Sequence, residues 1–224
     1  MNERSFIARQ AGECKRATGL ENGNLDVYTV YMATKDQILA AARAAFDRDG
    51  PEGLSMRDIA KEVGITPMAI YRHYENKQAL IDALVLDALG EWSDIVAAIP
   101  EQAPLDWMRA IGAAHLEFAL QKPRRYEAAF LTHSTKARRY PDDFLAGHSP
   151  AGALQLRLLN MLAAQGLMRA GSAIELLVTN AALSQGLITL YRAGRIAGSE
   201  DDFRKLYLGA TQRSFESFLT ENTR

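Results

Sequence analysis

The stretch that decides the fold is Ser55-Met56-Arg57-Asp58-Ile59-Ala60-Lys61-Glu62-Val63-Gly64-Ile65-Thr66-Pro67-Met68-Ala69-Ile70-Tyr71-Arg72-His73-Tyr74. Ser55, with Asp58 three residues on, has the form of a capping box and opens a short helix that carries Ile59, Ala60 and Val63 inward. Gly64 stops that helix, at a position where the left-handed conformation is cheapest for glycine. Thr66 is a good N-cap, and Pro67 suits the first helical position, where its missing N–H is no loss. Two helices that stop and restart within a few residues, with the small Ala60 at their crossing, make a helix-turn-helix pattern.

Upstream, Thr34-Lys35-Asp36-Gln37 also has the form of a capping box, and Ile38, Leu39, Ala42, Ala45 and Phe46 then give one apolar helical face that Gly50-Pro51 ends. A first helix is therefore expected from Thr34. Residues 1–33 carry Arg4, Arg9, Lys15 and Arg16 against Glu3, Glu13, Glu21 and Asp26 with no sustained apolar period, and are expected to be a poorly ordered extension. Met32 stands just before the capping box and suggests an alternative start. Downstream, Asn76 caps a helix whose apolar positions Leu80, Ala83, Leu84, Leu89, Trp92 and Ile95 carry it to roughly Ile99, long enough to connect two parts of the molecule.

Beyond Pro104 the pattern is helical throughout. Leu105, Met108, Ile111, Gly112, His115, Phe118 and Ala119 share a face; Pro123 starts a helix presenting Tyr126 and Phe130; Leu154, Leu158, Met161 and Leu162 keep the period. No stretch alternates at period two, so no strands are expected. The expected architecture is all-α: an extension over 1–33, a three-helix helix-turn-helix domain over 34–94, and a helical ligand-binding and dimerisation domain over 95–224, joined by the long helix.

Of the 224 residues, 48% are hydrophobic and 24% charged, the balance of a chain that buries a core. The first thirty residues hold no apolar signal-type run, and no run approaches the roughly eighteen apolar residues that span a bilayer, so a cytoplasmic protein without membrane contact is expected. The single Cys14 cannot form an internal disulfide, and His73, His115, His133 and His148 are not set at metal-ligand spacing, so neither a metal site nor a cofactor is expected. A net charge of −1 means that any case for nucleic-acid binding rests on local geometry.

That geometry is specific. With Ile70 placed toward the core, steps of about 100° per residue put Pro67, His73 and Tyr74 on or near the buried side, whereas Met68, Tyr71 and Arg72 point away. In helix-turn-helix proteins the start of the second helix meets base edges in the major groove. Arg72 can give two hydrogen bonds to a guanine, Met68 and Tyr71 can pack on a thymine methyl, and Thr66 lies at the helix start. Ser55 at a helix N-terminus, His73 and Lys77 suit phosphates. Taken singly, Arg57, Lys61 and Arg72 read better as solvated charges, and Tyr71 and Tyr74 can both be core aromatics. The order of caps, turn glycine and small crossing residue is what joins them.

The run from Thr34 to Trp92 resembles the N-terminal domain of TetR-family regulators: Ile38-Leu39-Ala40-Ala41-Ala42, Phe46, Gly53-Leu54-Ser55-Met56-Arg57-Asp58-Ile59-Ala60, Val63-Gly64-Ile65, Ile70-Tyr71-Arg72-His73-Tyr74 and Asn76-Lys77-Gln78-Ala79-Leu80. The resemblance implies DNA contacts from Ser55, Arg57, Thr66, Met68, Tyr71, His73 and Lys77. It also implies a dimeric repressor of a pseudo-palindromic operator, released by a small-molecule effector. Many relatives place a small residue near Met68. Further on, Phe118-Ala119-Leu120-Gln121-Lys122-Pro123-Arg124-Arg125-Tyr126 resembles the C-terminal domain of one TetR subgroup.

The C-terminal half is read from its own pattern. Residues 173–193 carry stripes at Ile174, Leu177, Val178, Ala181, Gln185 and Ile188 and at Leu176, Leu183, Leu187 and Leu190. Residues 200–219 carry Phe203, Leu206, Tyr207 and Ala210 on one face and Leu208, Thr211, Phe215 and Leu219 on another. Helices apolar on two sides are buried on two sides, either in a larger monomeric core or against a symmetric copy. Trp107, His115, Tyr126, Phe130, Met161, Asn180 and Gln185 can line an effector pocket between helices or simply fill the core.

Two other classes compete. Gly147-His148-Ser149-Pro150-Ala151 has a superficial likeness to a nucleophile elbow, but that motif needs a strand before the serine; Ser149-Pro150 reads better as an N-cap and first helical residue, and no enzyme is expected. A helical protein-interaction adaptor that keeps the fold without binding DNA is the alternative, set against the retention of Tyr71, Arg72 and Lys77.

Overall fold

The computed structural model describes residues 27–100 and 103–220. Cys14 and the charged residues of the expected extension up to Asp26 lie outside the described residues. The helices are α1 (Val27–Asp49), α2 (Met56–Val63), α3 (Pro67–His73), α4 (Lys77–Ala97), α5 (Pro104–Gln121), α6 (Pro123–Phe130), α7 (Asp142–Leu145), α8 (Pro150–Ala164), α9 (Ala173–Arg192) and α10 (Glu200–Glu216). Among the described residues there is no strand, and pairing of β type is limited to one isolated bridge between Met168 and Leu219. The chain divides into two compact units between Leu80 and Ile81, four residues into α4.

In the first unit α1 packs on α2 and α2 on α3, around the buried Ile38, Ala42, Phe46, Ile59, Ala60 and Ile70. The local stops and starts follow the sequence. Ser55 Oγ accepts from the Asp58 amide at 3.3 Å and Thr66 Oγ1 from the Ala69 amide at 3.1 Å. Gly64 ends α2 at φ 75°, a conformation glycine adopts without the Cβ penalty. Asn76 Oδ1 accepts from the Ala79 amide at 2.9 Å at the start of α4.

The start of α1 departs from expectation. The helix runs unbroken from Val27 through Thr34, so Thr34 is an interior residue and not an N-cap. Its hydroxyl donates back to the Val30 carbonyl at 2.9 Å, the bond a helix-interior threonine makes with the preceding turn. The order expected only from Thr34 onward begins earlier because Tyr31 finds a tertiary partner: its ring stacks on His73 at 4.4 Å and its hydroxyl donates to the Arg72 carbonyl at 3.2 Å. A contact with a residue more than forty positions away leaves no trace in local periodicity.

The second unit is a helical bundle. α9 packs on α8 and α10, and α5 touches α6, α8, α9 and α10. One part of its core gathers Phe144, Leu156, Leu159, Leu162, Leu176 and Phe215. The segments after α8 and α10 are tied by backbone hydrogen bonds from Arg169 to Phe218 and from Thr220 to Leu167, at 3.2 and 3.0 Å. Ser149 caps α8 by accepting from the Gly152 amide, with Pro150 in the first turn. Gly152 is needed there for space, since a Cβ would lie 2.5 Å from the Phe144 ring.

Two readings of the last helices change. In α10 the buried side is the single row Phe203, Tyr207, Thr211 and Phe215, while Leu206 and Leu208 lie exposed. The row advances by four residues and slants around the helix, so it takes Phe203 and Tyr207 from the first expected stripe and Thr211 and Phe215 from the second. In α9, Leu176, Leu177, Ser184 and Ile188 are buried, and Val178, Ala182, Gly186 and Leu190 form an exposed row with the same spacing. By length and composition α9 is apolar enough to cross a bilayer, which inspection of uninterrupted apolar runs missed because Thr179, Asn180, Ser184 and Gln185 break the run without adding charge.

Candidate functional site

Two regions gather the expected site residues, one in each unit. In the first unit, α3 is a two-turn helix anchored by Ile70, which is fully buried, and by Tyr74 at its C-cap. The opposite side holds Met68 and Tyr71, large apolar or aromatic side chains that are 73% and 49% exposed. Arg72 is exposed beside them, and so are Arg57 on α2, Lys77 at the start of α4, and Thr66. Ser55 is half-buried, with its hydroxyl engaged as a cap. All eight sequence-selected residues of this surface thus lie on α2 and α3 with their N-caps or at the first residue of α4.

His73 behaves differently from the rest. It is half-buried, its Nδ1 is buried without a hydrogen-bond partner, and its ring lies against Tyr31. Burial, and then the neighbouring charges of Lys35 and Arg72, hold its pKa below the ordinary histidine value. The ring is therefore neutral at physiological pH, and any phosphate contact it makes is that of a neutral N–H. Tyr31 was missed by the sequence reading; nothing in its local pattern separates it from the residues before it. Lys35, with Nζ 5.8 Å from the Tyr74 ring centroid, was missed as a support on the same side.

The second region is a cavity of about 630 Å³ inside the second unit, walled by α4, α5, α6, α8, α9, α10 and the α6–α8 connection. Four of the seven expected pocket residues line it: His115, Phe130, Asn180 and Gln185. The other three do not. Trp107 and Tyr126 are buried in the core and do not themselves line the cavity, and Met161 is exposed on α8. Trp92 from α4, Tyr140 and Phe144 from the α6–α8 connection, and Tyr207 and Thr211 from α10 complete the wall and were not selected from sequence.

Part of its wall is an aromatic cluster around His115. The imidazole meets Trp92, Tyr126 and Phe130 edge-on, at centroid distances of 5.3, 5.2 and 5.1 Å. Its Nδ1 lies 3.0 Å from the Tyr207 hydroxyl, a hydrogen bond that joins α5 to α10. Complete burial pushes the His115 pKa down to about 4, so the ring is neutral near pH 7. Burial also pushes the Tyr207 phenol up to about 12. Tyr126 is fully buried and its hydroxyl has no partner.

The wall of the cavity is tied to α4 by ionic and polar contacts. Arg125 of α6 binds Asp87 at 2.6 Å and Glu91 at 2.7 Å, and Lys122 binds Glu91 at 2.6 Å. Asp82, buried near the division between the units, accepts from Ser134 Oγ at 2.8 Å and the Thr135 amide at 3.0 Å, and from the Thr135 hydroxyl. Asp82, Asp87 and Glu91 therefore bind one helix and the loop that follows it, both of which contribute to the cavity.

Comparison with known proteins agrees with this geometry. Residues 38–84 match the family model described as bacterial regulatory proteins, tetR family, and residues 108–211 match the model described as tetracyclin repressor-like, C-terminal domain. An HTH-type transcriptional regulator of Bacillus subtilis, YobS, is 29% identical over 99 residues, 44% of this chain and 52% of that protein, so the chain spans about half the length of this relative. The tetracycline repressor protein class A from transposon 1721 of Escherichia coli is 31% identical over 168 residues, 72% of this chain and 69% of the repressor. A solved structure from Rhodococcus sp. RHA1, of unknown function, shares the fold at a TM-score of 0.67 and 22% identity, covering 84% of this chain and 96% of its own. With the helix-turn-helix unit and the C-terminal unit each matched to its own model, and a curated relative aligned across both, the chain belongs to the TetR family of helix-turn-helix regulatory proteins.

Proposed function

We propose that the chain is a cytoplasmic transcriptional repressor that reads a pseudo-palindromic operator through α3 as a dimer and releases it when a small molecule occupies the cavity. The observation that carries this reading is the exposed trio Met68, Tyr71 and Arg72 on a capped two-turn helix. Burying either of the first two would lower the free energy of the free protein, yet both stand in solvent. A major groove offers thymine methyls and guanine acceptors to just these side chains. Arg57, Lys77 and the capped N-terminus at Ser55 serve the flanking phosphates.

The dimer rests on the exposed row of α9. Only 28% of the most apolar eighteen-residue window of that helix is buried within the subunit. Gly186 stands in the exposed row with nothing within 4 Å of where a Cβ would be. A mid-helix glycine costs about 1 kcal/mol against alanine, and close approach of a second copy explains its presence. With Leu206 and Leu208 of α10 exposed nearby in sequence, α9 and α10 supply a two-fold four-helix interface. Two reading heads would then stand about 34–36 Å apart, one turn of DNA.

Release follows from linkage. Val85, Leu89 and Trp92 of α4 form part of the cavity wall, and α4 begins directly after the reading helix. A ligand that fits one setting of α6 against α4 better than another biases the position of α4 through Arg125 and Asp82. A coupling of about 1–3 kcal/mol changes operator affinity roughly 5–150-fold, enough to switch a promoter.

The test is selection of bound duplexes from a random pool with the wild type and with Tyr71→Ala plus Arg72→Ala. A short pseudo-palindrome recovered only by the wild type, with affinity that falls steeply as salt rises, is the expected result. A folded dimer that recovers nothing at low salt overturns the reading in favour of an interaction adaptor.

A further inference from the structure

The chemistry of the cavity wall narrows what can occupy it, and the narrowing rests on the effector reading above. Among the described residues that line the cavity there is no aspartate, glutamate or lysine. Its two charged members are Arg109, already bound to Asp106 at 2.9 Å, and Arg138 on the α6–α8 connection. A cation entering the space would lose its hydration and meet no carboxylate. An anion could meet Arg138 at the connection, but against the aromatic wall it would leave water for neutral groups. Part of the wall is Trp92, Phe130 and His115 in edge-on contact, a setting for a flat apolar body.

One polar group in that wall has a definite polarity. The imidazole is the stronger base and the phenol the stronger acid of the His115–Tyr207 pair, so the shared proton belongs to Tyr207, which donates to His115 Nδ1 across 3.0 Å. Ser184 of α9 lines the same wall and pulls the Tyr207 pKa down against burial, as a hydroxyl donating to the phenol oxygen would. The neutral ring must then carry its own proton on Nε2. That nitrogen is left for a ligand, and it can only donate.

We infer that the cavity selects an uncharged, apolar molecule bearing a carbonyl-type acceptor, which receives its hydrogen bond from His115 Nε2–H, and that it discriminates against cations and anions of the same shape. Tyr207 is a positioning residue here: it touches His115 and fixes which nitrogen carries the proton.

Four naphthalene probes separate the possibilities: 2-acetonaphthone, 2-ethylnaphthalene, 2-naphthylmethylammonium and 2-naphthoate. Each is titrated against the full chain while the tryptophan fluorescence is followed, Trp92 being in the wall. The ketone is expected to bind at least tenfold more tightly than the other three. His115→Leu should bring the ketone down to the hydrocarbon and leave the hydrocarbon unchanged, whereas His115→Gln, which keeps a donor, should preserve part of the preference. Tyr207→Phe frees the imidazole to accept, so 2-naphthol should gain on the ketone, a reversal that a general loosening of the core does not produce. If His115→Leu does not fold, the Tyr207→Phe comparison alone decides. Tightest binding by the ammonium or the naphthoate, or a ketone no better than the hydrocarbon, overturns the inference and leaves the effector reading standing. No binding of any probe overturns both.

Discussion

The two units display their functional residues in opposite ways. In the first, the side chains proposed to read DNA stand in solvent on α3 and are held by local devices: a serine cap, a threonine cap and a left-handed glycine within a dozen residues of one another. In the second, the side chains that matter are inside, and what holds them spans long sequence separations: His115 to Tyr207, Arg125 to Asp87 and Glu91, Ser134 to Asp82. A surface built for a rigid external partner can be specified by its own short segment. A cavity exists only where several segments meet, so its chemistry belongs to no one of them.

That contrast predicts where substitutions cost stability and where they cost binding. The largest expected effect on stability is at Arg125, whose side chain is 9% exposed between Asp87 and Glu91. Arg125→Ala leaves two carboxylates facing each other in a partly buried site and should destabilise the chain by about 3 kcal/mol. Arg57→Ala on the exposed side of α2 should stay within about 0.5 kcal/mol of the wild type. Urea unfolding of both variants reads the difference directly. The pairing with Lys122 and Arg125 holds the Glu91 pKa below its ordinary value against the opposing pull of burial, so this contribution is present above the ordinary glutamate range and is lost as pH falls through the lowered value. The gap between wild type and Arg125→Ala should therefore close in acid. Equal costs for the two arginines would erase the distinction between the units.

His115 gives the next effect and a different pH window. Its pKa is about 4 in the folded chain against 6.5 for the free side chain, so the unfolded state binds the proton more readily between those values. Stability is then complete above pH 6.5 and falls by about 3 kcal/mol as the pH drops toward 4. His115→Gln carries no such group and should lose much less over the same range. Thermal unfolding at pH 7, 6, 5 and 4 for both proteins tests this, and parallel curves would mean that water reaches the ring.

How much of this was legible in the sequence follows the same division. The caps at Ser55 and Thr66, the stop at Gly64 and the outward face of Met68, Tyr71 and Arg72 were all readable, because each is decided within one helical turn. In the second unit the residue types that can line a pocket between helices reach the cavity at His115, Phe130, Asn180 and Gln185, whereas Trp107, Tyr126 and Met161 satisfy the same criterion without lining it. Tyr207 and Trp92 were read as core or connector residues, since a helix period says which side is buried and not whether that side meets a helix or a space. The α6–α8 connection, which brings Tyr140 and Phe144 to the wall, has no periodicity to read.

On the exposed side, the expected costs move from stability to recognition. Arg72→Ala should weaken operator binding by about 2 kcal/mol and relax preference at the guanine proposed to meet it, while Lys77→Ala should weaken binding to all sequences alike and lower the salt slope by about one. Neither should shift the unfolding midpoint. A melt displaced by either change would place that residue in the fold of the first unit and not on its reading surface.

The smallest effect tests the one place where the first unit departs from local specification. Tyr31 lies on the early turns of α1, yet it reaches α3 twice, through its ring on His73 and through its hydroxyl on the Arg72 carbonyl. Tyr31→Phe keeps the stacked ring and removes an exposed hydrogen bond, so it should cost no more than about 0.5–1 kcal/mol of stability. Tyr31→Ala removes both and should cost about 1 kcal/mol more, the worth of an aromatic contact beyond its area. The carbonyl involved belongs to the residue next to His73, at the C-terminal end of the reading helix, and the stacked ring sets the inclination of that end. Both variants should therefore also lose operator affinity, the alanine more than the phenylalanine, in proportion to the freedom each returns to α3. Loss of stability with unchanged affinity would mean that α1 only covers the reading helix. Loss of affinity in step with the contact removed would make the first turns of α1 part of the proposed reading head, a long-range element in a unit otherwise specified by its neighbours in sequence.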